Sequence, residues 1–242
     1  VHLGALALAA AAARGRGRAG VAAWLPLAAV PLLYAELPLV AAGLGRARMH
    51  DAAVLTWERL LFDPLLGASP ARAWSAAMPW PALSELLHAG YLSYYALIYL
   101  PPLVLWRRGA RHGFDAFAAA TFTVLATFLA CDVVYALFPV QGPWYEWPAP
   151  ATVPDGPLRA AVERILHAGS SRGTAFPSSH VAVAVAQTLA LRQLARPSAP
   201  GLAGAAAVAT LLLAGGAVYG GFHYAVDVLA GAALGAATGL AG

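Results

Sequence analysis

Residues 200–241 read PGLAGAAAVATLLLAGGAVYGGFHYAVDVLAGAALGAATGLA. Two apolar runs flank a Gly-Gly-Phe-His turn, and the only charged side chain of the stretch, Asp227, follows His223 by four residues. About twenty apolar residues cross a hydrocarbon core of roughly 30 Å as one helix. The stretch therefore predicts two antiparallel spanning helices, near 200–219 and 222–241, with a polar pair beside their turn. Runs of the same kind lie near 21–44, 86–106, 114–138 and 178–195. The 242 residues are 60% hydrophobic and 11% charged. With a mean hydropathy of +0.67, that excludes a soluble domain of ordinary surface. The predicted fold class is an all-α integral membrane protein: a six-transmembrane-helix bundle with an interfacial helical segment and a structured outer loop.

The six spans leave no room for a separate soluble domain, so residues 21–242 are expected to form a single membrane domain. Residues 3–13, LGALALAAAAA, are too short to span, and their basic run RGRGR follows the apolar stretch instead of preceding it as in a signal peptide. Residues 1–20 are read as an amphipathic or partial helix. Cys131 is the only cysteine, which excludes an intrachain disulfide and says nothing of the redox compartment.

The fifteen basic residues are all arginine, and eight of them crowd three short segments: Arg14, Arg16 and Arg18, then Arg107, Arg108 and Arg111, then Arg192 and Arg196. These segments alternate along the chain, and the positive-inside rule makes them cytoplasmic. The N-terminus is then cytoplasmic, and the long connections 45–85 and 139–177 face the other side. No basic stripe stands outside the turns, so the net charge of +4 does not read as a nucleic-acid surface. The first connection mixes apolar, aromatic and charged residues at helical spacing, and Trp57, Trp74 and Trp80 suit the headgroup level. It reads mainly as a structural collar. The second carries Pro139, Pro143, Pro148, Pro150 and Pro154, which forbid a continuous helix, and then a short helical stretch, GPLRAAVERILHAG.

Two motifs carry chemistry: AFPSSHVA, with His180, and GGFHYAVDVLAG, with His223 and Asp227. The histidines are 43 residues apart, yet a helix running inward from Pro177 and a second returning to Tyr219 bring both to the same membrane edge. His223 and Asp227, one turn apart, share a helix face. The carboxylate then accepts a hydrogen bond from one ring N–H and leaves the other nitrogen's lone pair for a substrate. In FPSSH, Pro177 suits a first helical turn, Ser178 and Ser179 supply hydroxyls, and the amides of the helix end form an anion site suited to phosphate. Arg172, five residues before Pro177, would add a bidentate contact. A single membrane histidine is more often structural or part of a proton relay, and His-x-x-x-Asp with a second His also fits zinc. A metal site, however, explains neither the Pro-Ser-Ser nor the upstream arginine.

AFPSSHVA and YGGFHYAVDVLAG resemble the second and third signature motifs of the type 2 phosphatidic acid phosphatase superfamily. FPVQGPWYEW, GTAFPSSH and YGGFHYAVDVLAG together resemble the branch that contains fungal inositol phosphorylceramide synthase. The resemblance covers roughly residues 45–242 and is motif-specific over about 139–231. It implies a six-helix core in which His223 attacks phosphorus to give a phosphohistidine, Asp227 orients it and His180 protonates the leaving group. The wider superfamily has a first motif with Lys and Arg-Pro and an arginine six residues before the nucleophile. This chain has no lysine, and Ala217 stands at that arginine position. Gly142-Pro143-Trp144-Tyr145 and Tyr219 fit the synthase-like branch, which makes Trp144, Tyr145 and Tyr219 candidate substrate contacts, with an interfacial aromatic role the equal alternative for Trp144 and Tyr145.

The expectation is a lipid phosphatase or phosphotransferase without metal or other cofactor. Its partners would be a lipid phosphoester, the bilayer and an alcohol or lipid acceptor, with the site on the non-cytoplasmic face. The alternative is a transporter or flippase using Glu36, Asp115, Asp132 and the His–Asp pair as a polar pathway.

Overall fold

The computed structural model describes residues 18–43, 48–112, 115–147, 151–194 and 200–241. Of the expected N-terminal helix, residues 1–17 lie outside the described residues. The chain is helical: α1 (Arg18–Gly43), α2 (Asp51–Leu66), α3 (Pro70–Ala77), α4 (Pro81–His112), α5 (Asp115–Leu137), α6 (Pro143–Glu146), α7 (Pro157–Gly169), α8 (Ser179–Leu194), α9 (Pro200–Tyr219) and α10 (Ala225–Ala241). Each of the six apolar runs became a helix. Two stretches, Asp115–Leu137 and Gly201–Tyr219, are long and apolar enough to cross a membrane by themselves, and Ala22–Leu37 and Ala225–Leu240 are shorter apolar stretches. Helix α4 outruns its expected range at both ends and continues through Pro101 and Pro102, which are buried. The last helix starts three residues later than its apolar run, because residues 222–224 belong to the turn.

Helix α8 sits at the centre and packs on α4, α5, α9 and α10. Its partnership with α10 is close because Gly231, Gly235 and Gly239 recur every four residues. A Cβ at these positions would lie 2.4 Å from the Ser178 carbonyl oxygen, 2.2 Å from that of Ala182 and 2.7 Å from Ala186 Cα. The small-residue spacing lets two backbones touch, which is how membrane helices associate where burial from water gives no drive. The main core joins Leu27 and Val30 of α1, Tyr94 and Ile98 of α4, Val124 and Phe128 of α5, Val181 and Leu191 of α8, and Leu213 of α9. Outward, Phe122, Leu129 and Val133 of α5 and Val208 and Leu211 of α9 are exposed. That is the inverse of a water-facing surface.

Helix α2 shows a similar inversion. Trp57, Leu60, Leu61, Leu65 and Leu66 are exposed, whereas Asp51, Val54 and Glu58 are buried. Of the three tryptophans read as an interfacial collar, Trp57 and Trp80 are exposed. Trp74 instead turns in and packs edge-on against Tyr219.

Candidate active site

Four segments converge at one end of the bundle: the 139–147 loop after α5, the 170–177 loop before α8, the first turn of α8, and the turn between α9 and α10. The two loops are tied by the Val140–Thr174 bridge, in which the Ala175 amide donates to the Val140 carbonyl at 2.9 Å. Gly142 has φ +81°, and a Cβ there would lie 2.7 Å from that of Ala175. Only glycine takes this backbone conformation without strain while lying so close to the neighbouring loop. Tyr135 pins the FPSSH turn: its hydroxyl donates to the Pro177 carbonyl at 2.8 Å and accepts from the Ser179 amide at 3.1 Å.

His180 and His223 meet, with ring centroids 5.8 Å apart and edge to face. His223 Nδ1 lies 3.1 Å from the Ala175 carbonyl oxygen and 3.5 Å from Asp227 Oδ2. Both are acceptors, so in the neutral ring Nδ1 carries the proton and Nε2 keeps the lone pair. The expected orientation of His223 by Asp227 is therefore shared, with the carbonyl as the shorter contact. Asp227 Oδ2 also accepts from the Tyr224 amide at 2.8 Å, as an acidic side chain in the third helical position does in a capping box. His180 is held by ring faces, with its centroid 4.1 Å from that of Tyr94 and 5.1 Å from that of Tyr91. Its Nδ1 is buried with no hydrogen-bond partner among the described residues.

The histidine rings line a small pocket of about 40 Å³ with Tyr34, Gln141, Trp144, Tyr145, Ser170 and Thr174. That is room for only a few water-sized groups. Beside it opens an apolar cavity of about 310 Å³, bounded by Val30, Pro31, Tyr94, Ile98, Phe128 and Ile165. Tyr34, Leu166, Ser170 and His180 line both. Sequence reasoning missed Tyr34, Tyr91 and Tyr94. The only trace of Tyr91 and Tyr94 was the tyrosine-rich stretch YLSYYALIY at 91–99, which reads equally well as core, and Tyr34 is a single tyrosine in the first apolar run.

Other expected residues sit differently. Helix α8 begins at Ser179 and not at Pro177, and three of the amides at its start already have partners. The Ser178 amide donates to the Asp227 carbonyl at 2.9 Å, that of Ser179 to Tyr135 Oη, and that of Val181 to Ser178 Oγ at 3.5 Å. Ser178 and Ser179 are buried. The anion cradle expected from FPSSH is thus occupied by the protein's own groups at these three amides. Arg172 is exposed, with its guanidinium over the Tyr145 ring at 5.0 Å, and it does not line the pocket. Tyr145 lines the pocket and donates to Ser170 Oγ at 2.8 Å. Tyr219 lies apart, donating to the Met78 carbonyl at 2.9 Å. Among the described residues no three His, Cys, Asp or Glu side chains converge as a metal-binding group would require.

The sequence matches a protein-family model described as the PAP2 superfamily over residues 53–241. No curated protein and no solved structure matches the chain. The match spans most of the sequence and contains both histidine motifs, and with it comes a phosphatase or phosphotransferase type of function. The chain is a member of the PAP2 superfamily.

Proposed function

We propose that the chain is a membrane lipid phosphatase or phosphotransferase that works through a phosphohistidine. The observation that carries this reading is the junction at His180 of a small pocket of mixed polar and aromatic lining with a much larger apolar cavity. A molecule filling both is an amphiphile with its phosphoester at the ester–chain boundary. His223, with Nδ1 holding the proton against two acceptors, attacks phosphorus through Nε2. The P–O bond to the leaving group breaks as His180 delivers a proton to the departing oxygen. In the second half, neutral His180 takes the proton of an incoming water or alcohol, whose oxygen bonds to phosphorus while the P–N bond breaks. An alcohol acceptor would make the enzyme a phosphotransferase of the inositol phosphorylceramide synthase kind, and water would make it a phosphatase. Arg172, over Tyr145 at the pocket rim, is the proposed phosphate cation.

The six helices would each cross the bilayer once, with the arginine-rich turns cytoplasmic and the histidines on the other side. The transport alternative finds less support, since Glu36, Asp115 and Asp132 line neither cavity. The test is to incubate the purified chain with phosphatidate, prenyl diphosphate, phosphatidylinositol and ceramide and to identify products by mass spectrometry. Cleavage of a lipid phosphoester that is lost in His223→Ala and competed by orthovanadate is the expected result. Transport without any cleavage would overturn the proposal.

A further inference from the structure

Helix α2 directs two carboxylates inward, and each takes two successive backbone amides of a segment that reaches the pocket. Asp51 accepts from Gln141 at 3.0 Å and from Gly142 at 2.9 Å. Glu58, fully buried, accepts from Ala225 at 3.2 Å and from Val226 at 3.0 Å, and its Oε1 also accepts from Ser69 Oγ at 2.8 Å. The two residues are seven apart and therefore lie on one face of α2. Ala225 and Val226 are the first residues of α10, where helical amides have no partner within their own helix.

The third residue of α10 is Asp227, whose carboxylate lies over the same first turn. Two uncompensated amides there would draw it away from the ring, because a buried donor without a partner is costly and a carboxylate is the strongest acceptor in reach. With Glu58 on the Ala225 and Val226 amides, Asp227 needs to serve only the Tyr224 amide and His223 Nδ1. We propose that Glu58 is a positioning residue: it saturates the start of α10 so that Asp227 stays facing His223, while Asp51 does the corresponding service for the loop bearing Trp144 and Tyr145. Glu58 lines neither the pocket nor the apolar cavity. This rests on the reading of His223 as the reacting group.

The experiment uses the full chain in detergent, with Glu58→Gln and Asp51→Asn compared on one lipid phosphate. A glutamine can accept from one amide only and turns an NH₂ towards the other. The expected result for Glu58→Gln is a fall in kcat of about 10- to 100-fold with KM changed less than about twofold, the scale of a small misplacement relayed from outside the chemistry. Asp51→Asn is expected to raise KM severalfold with a smaller change in kcat. A second readout needs no turnover: the ring ¹⁵N shifts of His223, assigned with His223→Ala, should report the Nδ1–H tautomer in the native chain and a mixed population in Glu58→Gln. Native kcat together with a native tautomer in Glu58→Gln overturns the proposal. So does the same kcat-to-KM pattern in both variants. If Glu58→Gln does not fold, Ser69→Ala decides, with a fall in kcat of about two- to threefold expected from the loss of one of three donors and no change overturning it. If the native chain cleaves no phosphoester, the proposed function fails, and the tautomer measurement still judges Glu58.

Discussion

On the α10 side of the pocket His223 Nδ1 is anchored: its proton faces a carbonyl and a carboxylate, and the Tyr224, Ala225 and Val226 amides each meet a carboxylate oxygen, while Asp227 Oδ1 and Tyr224 Oη have no hydrogen-bond partner among the described residues. On the α8 side, His180 has no such anchor and rests against the rings of Tyr91 and Tyr94, stacked on the first and tilted to the second, with Nδ1 unpartnered among the described residues. A nucleophile must offer one nitrogen in one tautomer throughout, and acceptors fixed on the other nitrogen achieve that. A group that gives a proton in one half-reaction and takes it in the next must be comfortable in both states, and a strong acceptor on its ring would favour one. Aromatic faces fix where the ring is without fixing its charge. The contrast thus matches the two roles that the motifs imply.

The largest expected effect is also the most direct way to break that contrast. His223→Ala should lower kcat by about 10³-fold or more on every substrate, because in the proposed mechanism it is the side chain that forms the covalent bond. His180→Ala should cost about 10²- to 10⁴-fold on an alkyl phosphoester. On a lipid ester with a nitrophenolate leaving group, which needs no proton to depart, the first half-reaction should recover much of that loss and phosphoenzyme should accumulate in rapid-quench measurements. Equal losses for both variants on both substrates would mean that the two histidines do not divide the work this way.

A smaller effect tests whether ring faces are what hold His180. Tyr94→Leu removes the closer face and should lower kcat about tenfold, in line with a modest misalignment of a proton donor. Tyr94→Phe keeps the face and should behave as the native chain. A loss in Tyr94→Phe equal to that in Tyr94→Leu would move the role from the ring to the hydroxyl.

What the sequence made legible follows from which physical signals are local. The apolar runs are a property of length alone, and all six became helices. His223 and Asp227 share a face because one helical turn separates them, and the return of the chain through α9 predicted the meeting with His180. The inward turn of Asp51 and Glu58 was not legible. Their seven-residue spacing says that they share a face, but whether that face looks in or out depends on the surroundings of α2, and here the apolar side is the exposed one. The filled start of α8 was hidden for a related reason. FPSSH does advertise unpaired amides, but the groups that occupy them, Tyr135 Oη and the Asp227 carbonyl, come from elsewhere in the chain. Arg172 shows the same limit: five residues from Pro177 put it near the pocket, and stacking on Tyr145 decided where it rests.

The smallest effect concerns how the two sides are kept in register. The backbone contact of α8 with α10 sets the separation of His180 from His223, and Gly235 lies where a side chain would strike the Ala182 carbonyl. Gly235→Ala should therefore part the helices locally at a cost of about 1–3 kcal/mol, the usual penalty for an extra methyl in a packed contact. In a detergent melt that is a lower Tm by roughly 2–12 °C for a chain of this size. Gly204→Ala is the matched control: it lies in α9 with no atom within 4 Å of the added Cβ. There the methyl meets nothing, helix propensity favours alanine by up to about 1 kcal/mol, and Tm should hold or rise. If both variants melt alike, the glycine ladder is a compositional accident of a Gly-rich helix, and the spacing of the two histidines must be held from the loop side, by α2 and its carboxylates.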